Sequence, residues 1–383
     1  MKLIPLVVAA LLFAGCPLNR QPLEPAMEGP VRGRDIITAI GDGVRYLVGA
    51  QNRDGSWGSS GGTSGFDLYS PVPGSHDGYR SATTALCILA LMEAKGPPDA
   101  IKRGLEWLVS AEPPRRAQPD VMYNVWGNTY AVQALAAAYE AEEGELPRAR
   151  IRATAERHLE LLRRYETHMG GWNYYDFDTG TRTPGSYPTS FGTSAALVTF
   201  FDAERAGLDV PEDLTRRAQA AVEGCRNPDG SYIYDLGFRY YPTHPANQKK
   251  GGLGRMQSAN VALFLWRSKL VDKEKLKAGL DMMAEEHRFL ECGRKRQFPH
   301  EAFYFNSGYY YYFGHYYAAR AIELLDPADR PARQSALARF VLPHQEADGS
   351  WWDYYMFSYH KPYGTAYALM TLLRCLESPY KPK

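Results

Sequence analysis

The chain has 383 residues, a formal net charge of +1 and 45% hydrophobic residues. This composition excludes a disordered chain and leaves room for one large or two medium domains. The near-neutral charge gives no electrostatic footprint for nucleic acid, so no nucleic-acid partner is expected. The 27 tyrosines exceed what core packing requires, and they suggest a cleft or cavity that binds a ligand.

Residues 1–15 have the pattern of a secretory signal peptide, with a basic Lys2 followed by an apolar run that is shorter than a typical transmembrane helix. The run ends in Leu-Phe-Ala-Gly before Cys16, which resembles the lipobox of bacterial lipoproteins. An ordinary secretory signal with an incidental cysteine is the alternative. Residues 16–33, rich in proline and glycine, predict a flexible tether to a folded domain over 34–383. The expectation is a protein anchored to a membrane through a lipid on Cys16, in the bacterial cell envelope, on the periplasmic or outer-membrane face.

Twelve helical patterns then alternate along the chain. Six are amphipathic and are expected to face water on one side: 34–51, 98–110, 146–166, 211–226, 273–289 and 329–345. Six are rich in Ala, Thr, Tyr and Leu, poor in charge, and expected to be buried on most sides: 79–93, 127–141, 191–205, 254–267, 313–325 and 363–377. This alternation predicts an all-α fold, an (α/α)6 toroid of six outer and six inner helices. An open superhelix of helix pairs is the alternative.

A turn motif recurs after four of the outer helices. Its copies are Gln51–Trp57, Glu166–Trp172, Arg226–Tyr232 and Gln345–Trp351. In each copy a glycine can take positive φ beyond the helix end, and the aromatic ring can cover that end. The outer-to-inner connections that these motifs begin are long, whereas the inner-to-outer connections are short. In a ring the long connections share one face, and the functional residues are expected there.

Four further cysteines lack the spacing of a zinc site or of a disulfide scaffold: Cys87, Cys225, Cys292 and Cys375. Cys87 and Cys375 lie in the first and last inner helices, which a closed ring would make neighbours. Buried thiols are favoured for both, and a disulfide between them is the alternative.

The four turn motifs, with the inner-helix segments Gly127–Ala131 and Tyr363–Ala366, resemble the prenyltransferase and squalene-oxidase repeat superfamily of α/α toroids. That superfamily includes triterpene cyclases and the β subunits of protein prenyltransferases. The resemblance covers most of residues 34–378 and implies a fold more strongly than a function. The cyclases' Asp-x-Asp-Asp motif is missing, its nearest run being Asp176-Phe177-Asp178-Thr179, and the prenyltransferases' zinc ligands are not matched. Neither a metal nor a cofactor is expected.

The candidate functional residues belong to the long connections and to the inner helices. Four could serve as acids or bases: His76, Asp77, His315 and Asp353. Nine could bind a ligand: Tyr79, Arg80, Trp126, Asn128, Arg255, Tyr312, Tyr316, Tyr359 and His360. Structural roles are the alternatives. Asp77 could cap a helix, Asp353 could be a solvated loop carboxylate, and the aromatic run 309–317 could pack between the two helix layers.

Three functions remain open, and the sequence does not decide whether the protein is an enzyme. The favoured one is a surface-tethered binding or scaffold module that lacks the superfamily's catalytic motifs. The second is an enzyme that acts on an isoprenoid or lipid in the central cavity. The third is a polysaccharide-active (α/α)6 enzyme, which requires two carboxylates about 5–10 Å apart in a cleft. The expected ligand is accordingly hydrophobic or a glycan.

Overall fold

The computed structural model describes residues 31–60, 73–114, 124–141, 146–173, 187–296 and 300–376. Over these ranges the chain forms helices and isolated bridges but no strand. The outer helices are α1 Gly33–Gly49, α3 Pro98–Ser110, α5 Arg148–Arg164, α7 Glu212–Gly224, α9 Lys273–Glu285 and α12 Arg330–Val341. The inner helices are α2 Pro73–Glu93, α4 Asn124–Glu140, α6 Ser190–Arg205, α8 Lys249–Leu265, α11 Tyr311–Glu323 and α13 His360–Cys375. A short extra helix, α10 Arg288–Gly293, lies between α9 and α11.

The six inner helices form a closed ring. Each contacts the next along the chain, and α13 contacts α2. The outer helix α1 packs mainly against α13, so the first and last helices of the folded domain meet. The predicted (α/α)6 toroid is therefore confirmed, and the open superhelix is excluded.

The alternation of exposed and buried helices has a simple physical cause. Outer helices bury one stripe, as in α3, where Leu105 and Leu108 are buried while Lys102 and Glu106 are exposed. Inner helices are covered on nearly all sides, so they cannot carry unpaired charge without a large desolvation cost. Small side chains such as Ala134, which is fully buried in α4, allow neighbouring inner helices to approach closely.

The tryptophans of the turn motif make the same contacts in three copies, Trp57, Trp172 and Trp351. Each indole Nε1 donates a hydrogen bond to a carbonyl oxygen of the preceding outer helix, at 2.7, 2.7 and 3.0 Å respectively. Each tryptophan backbone N–H donates to a threonine Oγ1 of the following inner helix, at 3.0 Å in all three. The motif thus joins an outer helix to the inner helix that follows it.

The glutamine of the motif contacts a second outer helix. The amide nitrogen of Gln51 donates to the carbonyl oxygen of Ala100 in α3 at 2.9 Å, so it ties the turn to the next outer helix. Gln345 makes the equivalent 2.9 Å bond to Ala39 in α1, which links the last turn of the chain to its first helix. The motif therefore also sets the spacing around the outer ring.

Two details correct or refine the sequence expectations. Helix α2 begins at Pro73, six residues before the predicted start, so Asp77 lies within the helix and the alternative in which it caps the N-terminus is wrong. Cys87 and Cys375 are both free, buried thiols. Helices α2 and α13 are neighbours, but Cys87 Sγ approaches the carbonyl oxygen of Pro362 near the start of α13, whereas Cys375 is the last residue of that helix. No helix in the described ranges is both long and apolar enough to cross a bilayer.

Candidate functional site

A cavity of about 300 Å³ lies within the inner ring, at the end where the long connections run. Five of the inner helices contribute residues from their N-terminal and middle turns to its wall: Tyr79, Ala82, Thr83, Leu86, Trp126, Tyr130, Phe191, Phe313, Tyr363 and Tyr367. The long connections contribute the rest: Tyr234, Asp235, Phe238, His244, Ala246, His300, Phe305, Asn306, Tyr309, Tyr310, Asp353, Tyr354 and Met356. Aromatic rings dominate this wall, so the cavity favours a ligand with much apolar surface.

Asp353 is a buried carboxylic acid in the cavity wall, with 1% of its surface exposed. Its Oδ1 accepts hydrogen bonds from the backbone N–H of Tyr354 at 2.8 Å and from the hydroxyl of Tyr363 at 2.9 Å, and its Oδ2 accepts from the N–H of Tyr312 at 3.2 Å. Burial raises the pKa of Asp353 to about 6, although these three hydrogen bonds favour the ionised form. A neutral carboxyl in an apolar wall can donate a proton near neutral pH.

A layer of tyrosines closes the cavity towards the opposite end of the ring. The hydroxyl of Tyr367 donates to that of Tyr130 at 2.6 Å, and both rings line the cavity. Below them, Arg320 pairs with Asp202 through two bonds of 3.0 and 3.1 Å, with both side chains largely buried. The hydroxyl of Tyr316 accepts a bond from Arg320 at 3.3 Å. The cavity is therefore closed by polar groups that bond to one another.

Three rings from two connections meet at the cavity rim. Phe305 lies against His244, with ring centroids 5.6 Å apart, and stacks on His300 at 5.5 Å. Burial lowers the pKa of His300 and so favours the neutral imidazole. Phe305 has φ of +48°, a conformation that a bulky residue rarely adopts and that is maintained only by surrounding contacts.

A positive charge lies directly behind the wall. Arg255 is 1% exposed, and its guanidinium carbon lies 4.8 Å from the ring centroid of Tyr234 and 5.5 Å from that of Tyr310. Its Nε donates to the carbonyl oxygen of Gly251 at 2.9 Å and its Nη2 to that of Ala246 at 2.5 Å. Its Nη1 has no hydrogen-bond partner within the described chain, and no described carboxylate pairs with it.

The predicted residues of α2 fall into two groups. His76 contacts the hydroxyl of Tyr359 through Nδ1 at 3.3 Å and lies edge-on to Phe357, in a cluster beside the cavity that includes the wall residue Tyr79. Asp77 is exposed to solvent. Arg80 is engaged by the first turn motif, since it donates to Ser56 and Asp54 of that turn at 2.8 and 2.5 Å.

Three predicted candidates lie between the two helix layers and are absent from the described cavity wall. The Nε2 atoms of His315 and His287 share a hydrogen bond of 3.0 Å, and burial lowers the pKa of His315 to about 4. Asn128 holds His158 of α5 at 2.7 Å. The ring of Tyr312 is buried outside the wall, and this residue contributes only its backbone N–H to Asp353.

His360 begins α13 beside the wall residues, and its ring lies 4.6 Å from that of Tyr355. Burial lowers its pKa to about 4. Of the thirteen candidates, the structure brings Tyr79, Trp126 and Asp353 into the wall itself.

Most wall residues were not predicted from the sequence, because the composition of an apolar helix does not show which of its sides faces the cavity. The run 309–317 shows the signal that was available. Tyr309, Tyr310 and Phe313 line the cavity, and Tyr317 packs on Phe313 with ring centroids 4.8 Å apart. Counted from Tyr310, the last residue of the 3-10 turn before α11, Phe313 and Tyr317 follow at spacings of three and four residues, which is the spacing of one helix face. Their neighbours Tyr311 and Tyr312 point elsewhere.

No cluster of three or more His, Cys, Asp or Glu side chains suited to a metal ion occurs among the residues that the structure describes. The nearest arrangement is a buried group in which Glu291 accepts from His344 at 3.0 Å and from Arg294 at 3.0 Å. These bonds join α10 to the 3-10 turn Leu342–His344 that follows α12.

No protein-family model and no curated protein matches the chain. Solved structures resemble it over most of its length. A cellobiose 2-epimerase from Spirochaeta thermophila is 15% identical with a TM-score of 0.55, covering 90% of this chain and 97% of that one. A variant of a type II terpene cyclase from Scytonema, bound to geranylgeranyl dihydroxybenzoate, is 12% identical with a TM-score of 0.52, covering 90% and 97%. A Salmonella enterica protein described as a possible GH105 family member is 15% identical with a TM-score of 0.55, covering 94% and 97%. At such identities the likeness shows a shared toroid fold alone.

Proposed function

We propose that the protein binds an isoprenoid or a related unsaturated apolar ligand in its central cavity and protonates it through Asp353. The observation that carries the proposal is the buried carboxyl of Asp353, with a pKa raised to about 6 by burial, set in a wall of aromatic rings. A solvated loop carboxylate would show neither the burial nor the raised pKa. The ligand bound to the Scytonema terpene cyclase variant, geranylgeranyl dihydroxybenzoate, belongs to the same chemical class.

The proposed step transfers the carboxyl proton of Asp353 to one carbon of a double bond. A C–H bond forms, the O–H bond breaks, the Asp353 carboxylate remains, and the adjacent carbon becomes a cation. The π faces of wall residues such as Trp126 and Phe313 attract that cation. A second double bond of the ligand can then attack the cation and form a ring. Loss of a proton from the product restores neutrality, and the aromatic wall limits premature attack by water.

The test is to incubate the protein with geraniol, farnesol, geranylgeraniol and squalene in heavy water and to analyse extracts by mass spectrometry. We expect a cyclised product that carries one deuterium from solvent, and we expect Asp353→Asn to abolish it while still binding the ligand. Binding without product in the wild type would favour the binding module that the sequence favoured. Absence of binding to any of these probes would contradict the proposal.

A second candidate is supported by one observation: two carboxylates, Asp235 and Asp353, both line the cavity. Paired carboxylates and aromatic rings are also used by enzymes that act on carbohydrates. Two of the similar structures are described as a possible GH105 family member and a cellobiose 2-epimerase. However, Oδ1 of Asp235 accepts bonds from the N–H groups of Gly237 and Phe238 at 2.8 and 3.2 Å, so it caps the local 3-10 turn. Turnover of cellobiose or of an unsaturated oligosaccharide, lost in Asp235→Asn, would support this candidate.

The proposal includes the lipid anchor at Cys16, which lies outside the described residues. A tethered toroid would have access to apolar ligands dissolved in the adjacent membrane. Expression in a bacterial host with labelled palmitate should label the wild type and leave Cys16→Ser unlabelled and released from membranes. An unlabelled wild type would favour the ordinary signal peptide.

A further inference from the structure

We infer that the ligand carries a single carboxylate, and that Arg255 and Asn306 select it. This inference rests on the proposed function, because it concerns the head group of the ligand held in the same cavity. It begins from two buried polar groups that the fold leaves incompletely satisfied at one corner of a mainly aromatic wall.

The first group is the guanidinium of Arg255. A buried cation without a carboxylate partner is costly, and proteins seldom retain one that is not compensated. Two backbone carbonyls and the rings of Tyr234 and Tyr310 stabilise it in part, but Nη1 has no partner in the described chain. Because Ala246, Tyr234 and Tyr310 all line the cavity, the charge lies one residue behind its surface.

The second group is the side-chain amide of Asn306, which does line the cavity. Asn306 is 4% exposed, its Oδ1 has no hydrogen-bond partner, and its side chain bonds to no other described residue. Asn306 lies close to Arg255 because both are next to Gly251. Arg255 donates a hydrogen bond to the carbonyl oxygen of Gly251, and a Cβ placed on Gly251 would lie 2.9 Å from Asn306 Oδ1. An amide can present its nitrogen instead of its oxygen, so Asn306 can donate a hydrogen bond into the cavity.

Together these groups supply one donor and one uncompensated positive charge in a site of low dielectric, which is what a carboxylate requires. A diphosphate fits less well, because its additional charges would remain buried without counter-charges. Asp353, on a different connection, is left free to act on the chain of the ligand.

The experiment compares ligands that cannot react: the saturated analogue of farnesoic acid, the matching saturated alcohol and the matching diphosphate. Calorimetry at pH 8 should show that wild-type protein binds the acid about tenfold more tightly than the alcohol, the factor expected for one charge-assisted hydrogen bond. Arg255→Met and Asn306→Ala should each lose this preference while keeping their affinity for the alcohol. Arg205→Met, on the surface of α6, is the matched control and should retain the preference.

Equal affinity of the wild type for acid and alcohol would overturn this inference and leave the cavity proposal standing. Tighter binding of the diphosphate would overturn the assignment to a carboxylate. If none of the three ligands binds, the proposed function fails and this inference fails with it. Should Arg255→Met not fold, a ¹³C-labelled carboxyl bound to the wild type gives a second measurement. Its pKa should lie below that of the free acid, and a raised pKa would contradict the inference.

Discussion

The hydroxyl of Tyr363, in the first turn of α13, donates a 2.9 Å hydrogen bond to Oδ1 of Asp353 in the connection that leads to that helix. Both residues line the cavity. This bond favours the ionised carboxylate, whereas burial favours the neutral acid, and burial prevails. The balance between the two places the pKa of Asp353 where the group can both give up and regain a proton.

Removal of that hydroxyl should shift the balance further towards the neutral acid. In Tyr363→Phe the ionised form loses a donor, so the pKa of Asp353 should rise above its wild-type value of about 6, by roughly one pH unit. The measurement is the ¹³C titration of labelled aspartate carboxyl groups. Tyr355→Phe, in the same connection, is the control and should leave the midpoint in place. A midpoint that stays put or falls in Tyr363→Phe would show that the bond does not tune the acid.

The same acid should give the fold a specific dependence on pH. Asp353 has a pKa raised from 3.8 to about 6 in the folded chain, so the folded state holds the proton more tightly than the unfolded state. The contribution of Asp353 to the free energy of unfolding is therefore fully present below about pH 4 and is lost as pH rises through about 6. Its magnitude is on the order of 2–3 kcal/mol. Denaturant unfolding across this range should show that the wild type loses free energy of unfolding relative to Asp353→Asn. Parallel curves for the two proteins would refute the assignment.

Replacing the glycine of the turn motif by alanine should destabilise the fold for two reasons, the positive φ of the glycine and a steric clash with α1. Gly349 has φ of +85°, and an added Cβ would meet the carbonyl oxygen of Asp42 in α1 at 2.7 Å. Gly207 has φ of +88° but has nothing within 4 Å. Gly207→Ala should therefore cost about 1 kcal/mol for the backbone alone, and Gly349→Ala about 2–4 kcal/mol, measured by thermal and denaturant unfolding. Equal losses of unfolding free energy in the two variants would mean that α1 moves away from the added Cβ without an energetic cost.

The ion pair that closes the lower end of the ring should be far more sensitive than one on the surface. Arg320 and Asp202 are only 14% and 13% exposed, so Arg320→Met leaves a largely buried carboxylate without its partner. The expected loss is about 3 kcal/mol of unfolding free energy. Arg205 pairs with Glu140 at 62% and 49% exposure, and Arg205→Met should change stability by less than about 0.5 kcal/mol. Similar losses from both variants would argue that the central pair is not desolvated.

The turn motifs and helix patterns identified the architecture because both are local signals. Three features depend only on residues that are close together in the sequence and can be recognised there. They are the glycine with positive φ, the tryptophan ten residues from the carbonyl that it contacts, and the charged helix followed by an uncharged one. Asp353 was also recognised as a candidate acid from its place among aromatic residues in the connection after Trp351. Its alternative role as a solvated carboxylate was excluded only when its burial was known.

What the sequence by itself determined was the alternation of two helix types and the side of the ring on which the long connections lie, since amphipathicity and connection length are properties of contiguous segments. What only the tertiary structure decided was which residues face the axis. Tyr130 and Tyr367 are joined by their hydroxyls although they are far apart in the chain, and Arg255 lies behind rings supplied by other segments. An inner helix that is apolar on all sides carries no periodic signal that distinguishes its cavity face from its packed faces. The rotation of each such helix, and hence the composition of the cavity wall, is fixed by its packing against the neighbours that complete the ring.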